Sequence, residues 1–320
     1  MAEKKWGVKA QSLENQLGGN KIMFIGAGII AFGIFMGIAL MLSFGSINMP
    51  FQDCVAVVNI DGEISSSGTP ATLFAEGAPG SADIAERIKS LNDRDDVKAV
   101  VVKVNSPGGG VLASKEIYNA VKGLNKTKVA YLYEMAASGG YYVALGSDYI
   151  VADPDTLTGS IGVISMTVDI RSLMDKIGVN ITTIKSAEHK DFLEPTKETD
   201  PEELAIMQEI INETYRDFVG TMKESRGSRV SFLDVPMLTD GRIFSGRQAL
   251  RYGLVDELGS KDDAIKKAAD MAGMKYDGEP NICEIRYSSG SGSGMFSELS
   301  KSIATLIYAS QYPTTGLYMK

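Results

Sequence analysis

The 320 residues, 44% hydrophobic and 22% charged, supply enough apolar mass for one large domain or two small ones. A net charge of −8, with no basic cluster longer than a pair, argues against nucleic acid or an anionic membrane surface as the main partner. One histidine, His189, and two distant cysteines, Cys54 and Cys283, offer no set with zinc-ligand spacing, so no metal or other cofactor is expected.

Residues 1–21 are polar and carry Lys4, Lys5, Lys9 and Lys21; they read as a cytoplasmic tail. From Ile22 to Phe44 the chain runs without a charge, long enough to cross a bilayer core, and the lysines before it orient the segment with its N-terminus inside. Everything after residue 45 is then extracytoplasmic, anchored by a single pass at the cell membrane. Gly33 and Gly37 form a GxxxG that could pair helices, although glycine is common in membrane spans. Residues 45–53 are a linker.

CVAVVNIDGEI, Cys54 to Ile64, reads as a first strand ending in a turn at Asp61-Gly62. Ser81 to Asn92 carries Ile84, Ala85, Ile88 and Leu91 at helical spacing behind Ser81 as N-cap, and Val97 to Val104 is the next strand, so a right-handed βαβ crossover is expected. The Gly-rich turn Asn105 to Val111 leads into a helix with Ile117, Val121 and Leu124, and then Val129 to Tyr133 forms a strand. Further strands are expected at Asp148–Asp153 and Asn180–Lys185, with a short helix at Arg171–Gly178 between them. A long helix follows, with Asp200 as N-cap, Pro201 first and Glu203 completing a capping box, and it stops at Gly227. Its stripe Leu204, Met207, Ile211, Phe218 and Met222 reads as core. Residues 239–259 suggest a turn and helix returning to a strand, 261–272 a helix and Pro280–Tyr287 a last strand. Cys54 and Cys283 can pair only if first and last strands are neighbours, which leaves a disulfide and two separate buried thiols both open. Residues 288–320 are a flexible linker and tail, with an amphipathic stretch from Met295 to Tyr308.

The informative stretch is YLYEMAASGGYYVAL, Tyr131 to Leu145. A strand enters, a helix leaves, and Ser138 sits at the turn with Gly139 and Gly140 behind it, where free N–H groups and a helix dipole favour charge developing on an attacked carbonyl oxygen. A second Gly-rich turn at the same sheet edge would bring the N–H of Gly108 or Gly109 opposite Ser138. A serine nucleophile needs a base. His189 could serve in a triad; Lys190, Lys185 or another buried lysine could serve in a dyad, provided that burial lowers the lysine pKa from about 10.4 towards 7. On loop position alone Lys190 is a surface lysine.

The blocks VNIDGEI, VNSPGGG, AASGGYYVA, TGSIGVI, HKD followed by Pro195, and DGRIFSGRQALRYGLVDELG, in this order over about residues 50 to 275, resemble the signal peptide peptidase A (SppA) family of bacterial membrane-anchored serine proteases. The resemblance implies an α/β, ClpP/crotonase-like fold with repeated ββα units over an extracytoplasmic peptidase domain, residues 54–287. It implies Ser138 as nucleophile, Lys190 as general base, Ser160 as the residue orienting that lysine, Gly109 and Gly139 as the oxyanion-hole region, and no catalytic role for His189. Single-copy members are similar to rings in which neighbouring subunits complete each site, which implies an octamer-like homo-oligomer acting on peptide substrates such as cleaved signal peptides. Val163 and Met166 are guessed to suit an apolar substrate residue. The rivals are a stomatin-partner type of membrane protease and a non-catalytic peptide-binding scaffold; a crotonase-type acyl-CoA enzyme would lack coenzyme A outside the cell. The tail is a candidate self-inhibitory peptide.

Overall fold

The computed structural model describes residues 53–68, 78–283 and 285, together with Phe32 and Met36, which are helical. Apart from those two residues, the expected membrane span at 22–44 lies outside the described residues, as does the tail at 288–320. Among the described residues no helix is long and apolar enough to cross a membrane.

Three long strands form the centre: β1 (Cys54–Asp61), β2 (Val97–Ser106) and β3 (Thr127–Ala137). They are parallel, and the sheet runs β6-β5-β3-β2-β1-β8, where β5 is Leu157–Gly159, β6 Ile243–Ser245 and β8 Ile282–Cys283. Among the described residues, only the β5–β6 pair is antiparallel. β4 (Tyr149–Ala152) joins the first half of β3 to β7 (Glu257–Leu258).

Near-continuous apolar runs such as VKAVVVKV suit strands covered on both faces. Val100, Val102 and Val104 pack in one cluster with Ile84 and Ile88 of α1 (Ser81–Ser90) and Ile117 and Val121 of α2 (Val111–Lys122). The alternate residues Ala99 and Val101 face Ala264, Ile265 and Ala268 of α8 (Lys261–Met271). Helix α1 begins one residue earlier than expected: Gly80 is the N-cap, and buried Ser81 instead donates its hydroxyl to Glu116 of α2.

The long strands bend before they end. Between Val104 and Ser106 the β2–β3 register slips, and the Asn105 side-chain oxygen accepts from the Met135 N–H at 3.3 Å, filling the irregularity. Beyond this bend β3 leaves β4 and pairs with β5 instead. The expected ββα repeat therefore takes the form of bent strands, each followed by a helix, and the bends create the edge where the candidate site lies.

Three other expectations change, and one open alternative is resolved. Asn180–Lys185 is not a strand: its β-branched residues are exposed and no neighbouring strand pairs with them, and strand propensity has little force without a partner. The turn at 239–245 contains β6, and Val235–Leu238 is a short helix, α6. Helix α5 (Pro201–Arg226) has Asp200 as N-cap, its carboxylate accepting from the Glu202 N–H at 2.8 Å, but Glu203 closes no capping box. Its stripe is buried only in the second half, at Phe218 and Met222, whereas Leu204 is exposed. Finally, Cys54 and Cys283 form a disulfide, with Cα atoms 5.4 Å apart, because β8 pairs with β1 at the sheet edge.

Candidate active site

Ser138 follows the last residue of β3 and caps α3 (Gly139–Ala144). Its φ of 51° is rare for a residue with a side chain and costs about 1–3 kcal/mol. Two bonds hold it there: its N–H donates to the Gly159 carbonyl at 2.9 Å, and its own carbonyl accepts from the Tyr142 N–H at 2.9 Å. Ala136, Ala137, Gly139 and Gly140 are buried, and Ser138 alone in this run is half-open. The strain thus lifts one hydroxyl out of an otherwise closed turn.

The PGGG turn lies against it. Ile64 donates its N–H to the Gly108 carbonyl and accepts from the Gly110 N–H, both at 2.9 Å, so the intervening N–H of Gly109 is turned away from Ile64. Gly109 lines the same cleft as Ser138 and Gly139. Neither the Gly109 nor the Gly139 N–H has an acceptor among the described residues, which leaves two convergent backbone donors beside the serine. A Cβ on Gly109 would meet the Ile64 carbonyl oxygen at 2.1 Å, so the approach requires glycine. Gly109→Ala is accordingly expected to lower kcat by about 10²–10³ with a smaller change in KM, measured by steady-state peptide hydrolysis. An unchanged kcat would remove this turn from the chemistry.

Pairing of Ala137 with Gly159 sets the next residues, Ser138 and Ser160, side by side. Ser160 has φ 50°, is fixed by its N–H to the Arg242 carbonyl at 2.8 Å, and lines the cleft. The cleft has a volume of about 470 Å³, and Val111, Tyr142, Val163 and Phe218 give it an apolar floor. Val163 lines it as guessed; Met166 does not and is 86% exposed.

Sequence reasoning missed Tyr142, Phe218, Lys115 and Asp217, of which the last two form an ion pair at 2.8 Å in the cleft wall. The Asp217 hydrogen bond raises the Lys115 pKa, which favours the ammonium form and works against its taking the serine proton. Spacing carried one signal for the far wall: Thr214, Asp217 and Phe218 lie three and four apart on one face of α5.

Lys190 does not line the cleft. It sits in the single turn Glu188–Asp191, its side chain exposed and without a hydrogen bond or ion pair among the described residues. Lys185 also lies off the cleft, its ammonium donating to the Glu188 carbonyl at 2.7 Å and to Asp191 at 2.8 Å. His189 also lies off the cleft, 3.9 Å from both Glu202 and Glu203. Hydrogen bonds from Lys185 and then Lys197 hold Asp191 down at about 2, and Glu203 is lowered by Lys197 and the Leu193 N–H. The single chain therefore unites Ser138, Gly139, Gly109 and Ser160, and keeps Lys190 elsewhere.

Residues 78–151 match the Clp protease family, in keeping with the bent parallel sheet, and residues 121–275 match Peptidase family S49. The chain is 41% identical over 211 residues to a putative protease of Synechocystis, covering 65% of this chain and 76% of that protein. It is 34% identical to a putative signal peptide peptidase SppA of Enterococcus faecium, over 69% of this chain and 66% of the relative. Identity to Protease 4 of Salmonella typhi is also 34%, over 71% of this chain but 40% of that longer protein. The chain belongs to Peptidase family S49, the serine endopeptidases that include signal peptide peptidase SppA and Protease 4.

Proposed function

We propose that the chain is a membrane-anchored endopeptidase that cleaves apolar peptides, such as signal peptides left after secretion, at the outer face of the cell membrane. Ser138 is the nucleophile and Lys190 the general base. The neutral amine takes the Ser138 hydroxyl proton as the oxygen attacks the scissile carbonyl, and the N–H groups of Gly109 and Gly139 receive the oxyanion. The same proton passes to the leaving amine, an acyl-serine forms, and Lys190 then deprotonates the water that releases it. Ser160 orients the amine.

One observation carries this reading: the cleft around Ser138 holds the serine hydroxyl and the Gly109 and Gly139 N–H groups, yet its lysine is kept as an ammonium by its pairing with Asp217. A base must come from outside the cleft, and Lys190 is carried on a segment rich in exposed apolar side chains, with Ile164 82% and Ile184 94% exposed. Monomers rarely expose such a surface, and a neighbouring copy in a homo-oligomeric ring would cover it and exclude water from Lys190. The disulfide favours an oxidising, extracytoplasmic setting.

The test is hydrolysis of a fluorogenic peptide with an apolar cleavage residue. Ser138→Ala and Lys190→Ala are each expected to lose at least about 10³-fold in kcat/KM, and His189→Ala to stay near wild type. Loss in His189→Ala with Lys190→Ala active would move the base to histidine. Absence of activity in the wild type would favour the peptide-binding scaffold.

A further inference from the structure

The turn that bears Lys190 is held by an ionic lattice that the reaction itself does not use. Glu203, 1% exposed in the first turn of α5, accepts from the Lys197 ammonium at 2.6 Å and from the Leu193 N–H at 3.0 Å. Lys197 reaches on to Asp191 at 3.0 Å, and Asp191 also accepts from Lys185 at 2.8 Å. Leu193, within this lattice, has φ 51°, a conformation that a leucine keeps only when its surroundings enforce it.

The lattice therefore spans both flanks of Lys190. Lys185 ties down the incoming chain, Asp191 is the adjacent residue, and Lys197 with Glu203 fastens the outgoing chain to a long helix whose second half walls the cleft. Lys185 and Lys197 are both paired with carboxylates, whereas the Lys190 side chain has no hydrogen bond or ion pair among the described residues. A floppy exposed turn would spread a long lysine side chain over many positions, and loss of reach of about 1 Å costs as much as 10²-fold in rate.

We infer that Glu203, Lys197 and Asp191 are positioning residues for the general base, fixing the turn from which Lys190 reaches Ser138. This rests on the Ser138–Lys190 reading above. The consequence is a division of labour: the lattice sets the geometry of the amine without touching substrate, and so governs kcat and leaves KM alone.

The experiment compares, in the full chain, Glu203→Gln, Asp191→Asn, Lys197→Met and Lys197→Arg, with Lys190→Ala as reference. Steady-state kinetics on the fluorogenic peptide are combined with the rate at which a fluorophosphonate labels Ser138. Glu203→Gln, Asp191→Asn and Lys197→Met are expected to lower kcat and the labelling rate tenfold or more with KM within twofold, and Lys197→Arg to retain most of both. Asp191→Asn lies nearer the surface than Glu203→Gln and keeps the test decisive if the buried change impairs folding. An inactive Lys190→Ala alongside wild-type kcat in Asp191→Asn and Lys197→Met overturns the positioning role alone. Full activity in Lys190→Ala overturns the dyad, and this inference with it. Equal losses in kcat and in substrate binding would mark the lattice as general scaffolding and reject the inference.

Discussion

Mixing Ser138→Ala subunits with Lys190→Ala subunits is expected to restore peptidase activity that neither variant has alone. Within one chain the cleft contains Ser138, Ser160 and two free backbone donors, and Lys190 lies outside it on an exposed turn. If a neighbouring copy supplies the amine, a mixed ring contains sites where an intact Ser138 meets an intact Lys190. Random assembly at equal ratio would make about a quarter of the sites competent, in a ring closed by head-to-tail contacts. The measurement is kcat/KM after co-refolding or co-expression, with subunit ratio varied. Activity that stays at the level of the separate variants at every ratio would show that one chain provides both groups, or that the base is another residue. The exposed Ile164, Met166 and Ile184 give the physical reason for expecting exchange between copies, since none of the described residues covers them.

The second large effect concerns stability. Arg226, at the end of α5, is 2% exposed and forms two hydrogen bonds with Asp256, at 2.7 and 3.0 Å, and a third with the Gly253 carbonyl at 2.9 Å. Asp256, 6% exposed, also accepts from the Ile150 N–H of β4 at 2.8 Å. Removing the guanidinium strands a buried carboxylate, so Arg226→Ala is expected to cost about 3–5 kcal/mol, near the lower end because Arg229 remains 3.0 Å from Asp256. Denaturant unfolding of the purified protein measures it. Arg226→Met combined with Asp256→Asn should recover much of the loss, because the unpaired charge is then gone. A change below about 1 kcal/mol in Arg226→Ala would mean that Arg229 substitutes fully. The same pair anchors the helix that presents Asp217 and Phe218 to the cleft, so loss of stability and widening of the cleft should go together.

Much of the frame was legible in the sequence because its causes are local. The strand leading to Ser138 announces itself by a β-branched and aromatic run, the turn by small residues, and α5 by Asp200 followed by Pro201. Other features depend on what a segment meets. Ile181 to Ile184 has strand-like composition and no strand beside it. Leu204 has the spacing of a core residue, but it remains 47% exposed among the described residues. Glu203 stands where a capping-box acid would stand, and Lys197 with the Leu193 N–H draws its carboxylate away.

By itself, then, the sequence determined the order of strands and helices, the Ser138 and Gly109 turns and the apolar faces that build the sheet, since short-range spacing and backbone chemistry dictate each of these. Tertiary structure alone decided that β1 and β8 are neighbours and close a disulfide, that Lys115 is paired with Asp217, and that Lys190 stands outside the cleft on a turn locked by Glu203. These depend on contacts between residues far apart in the chain, whose energies no local pattern encodes.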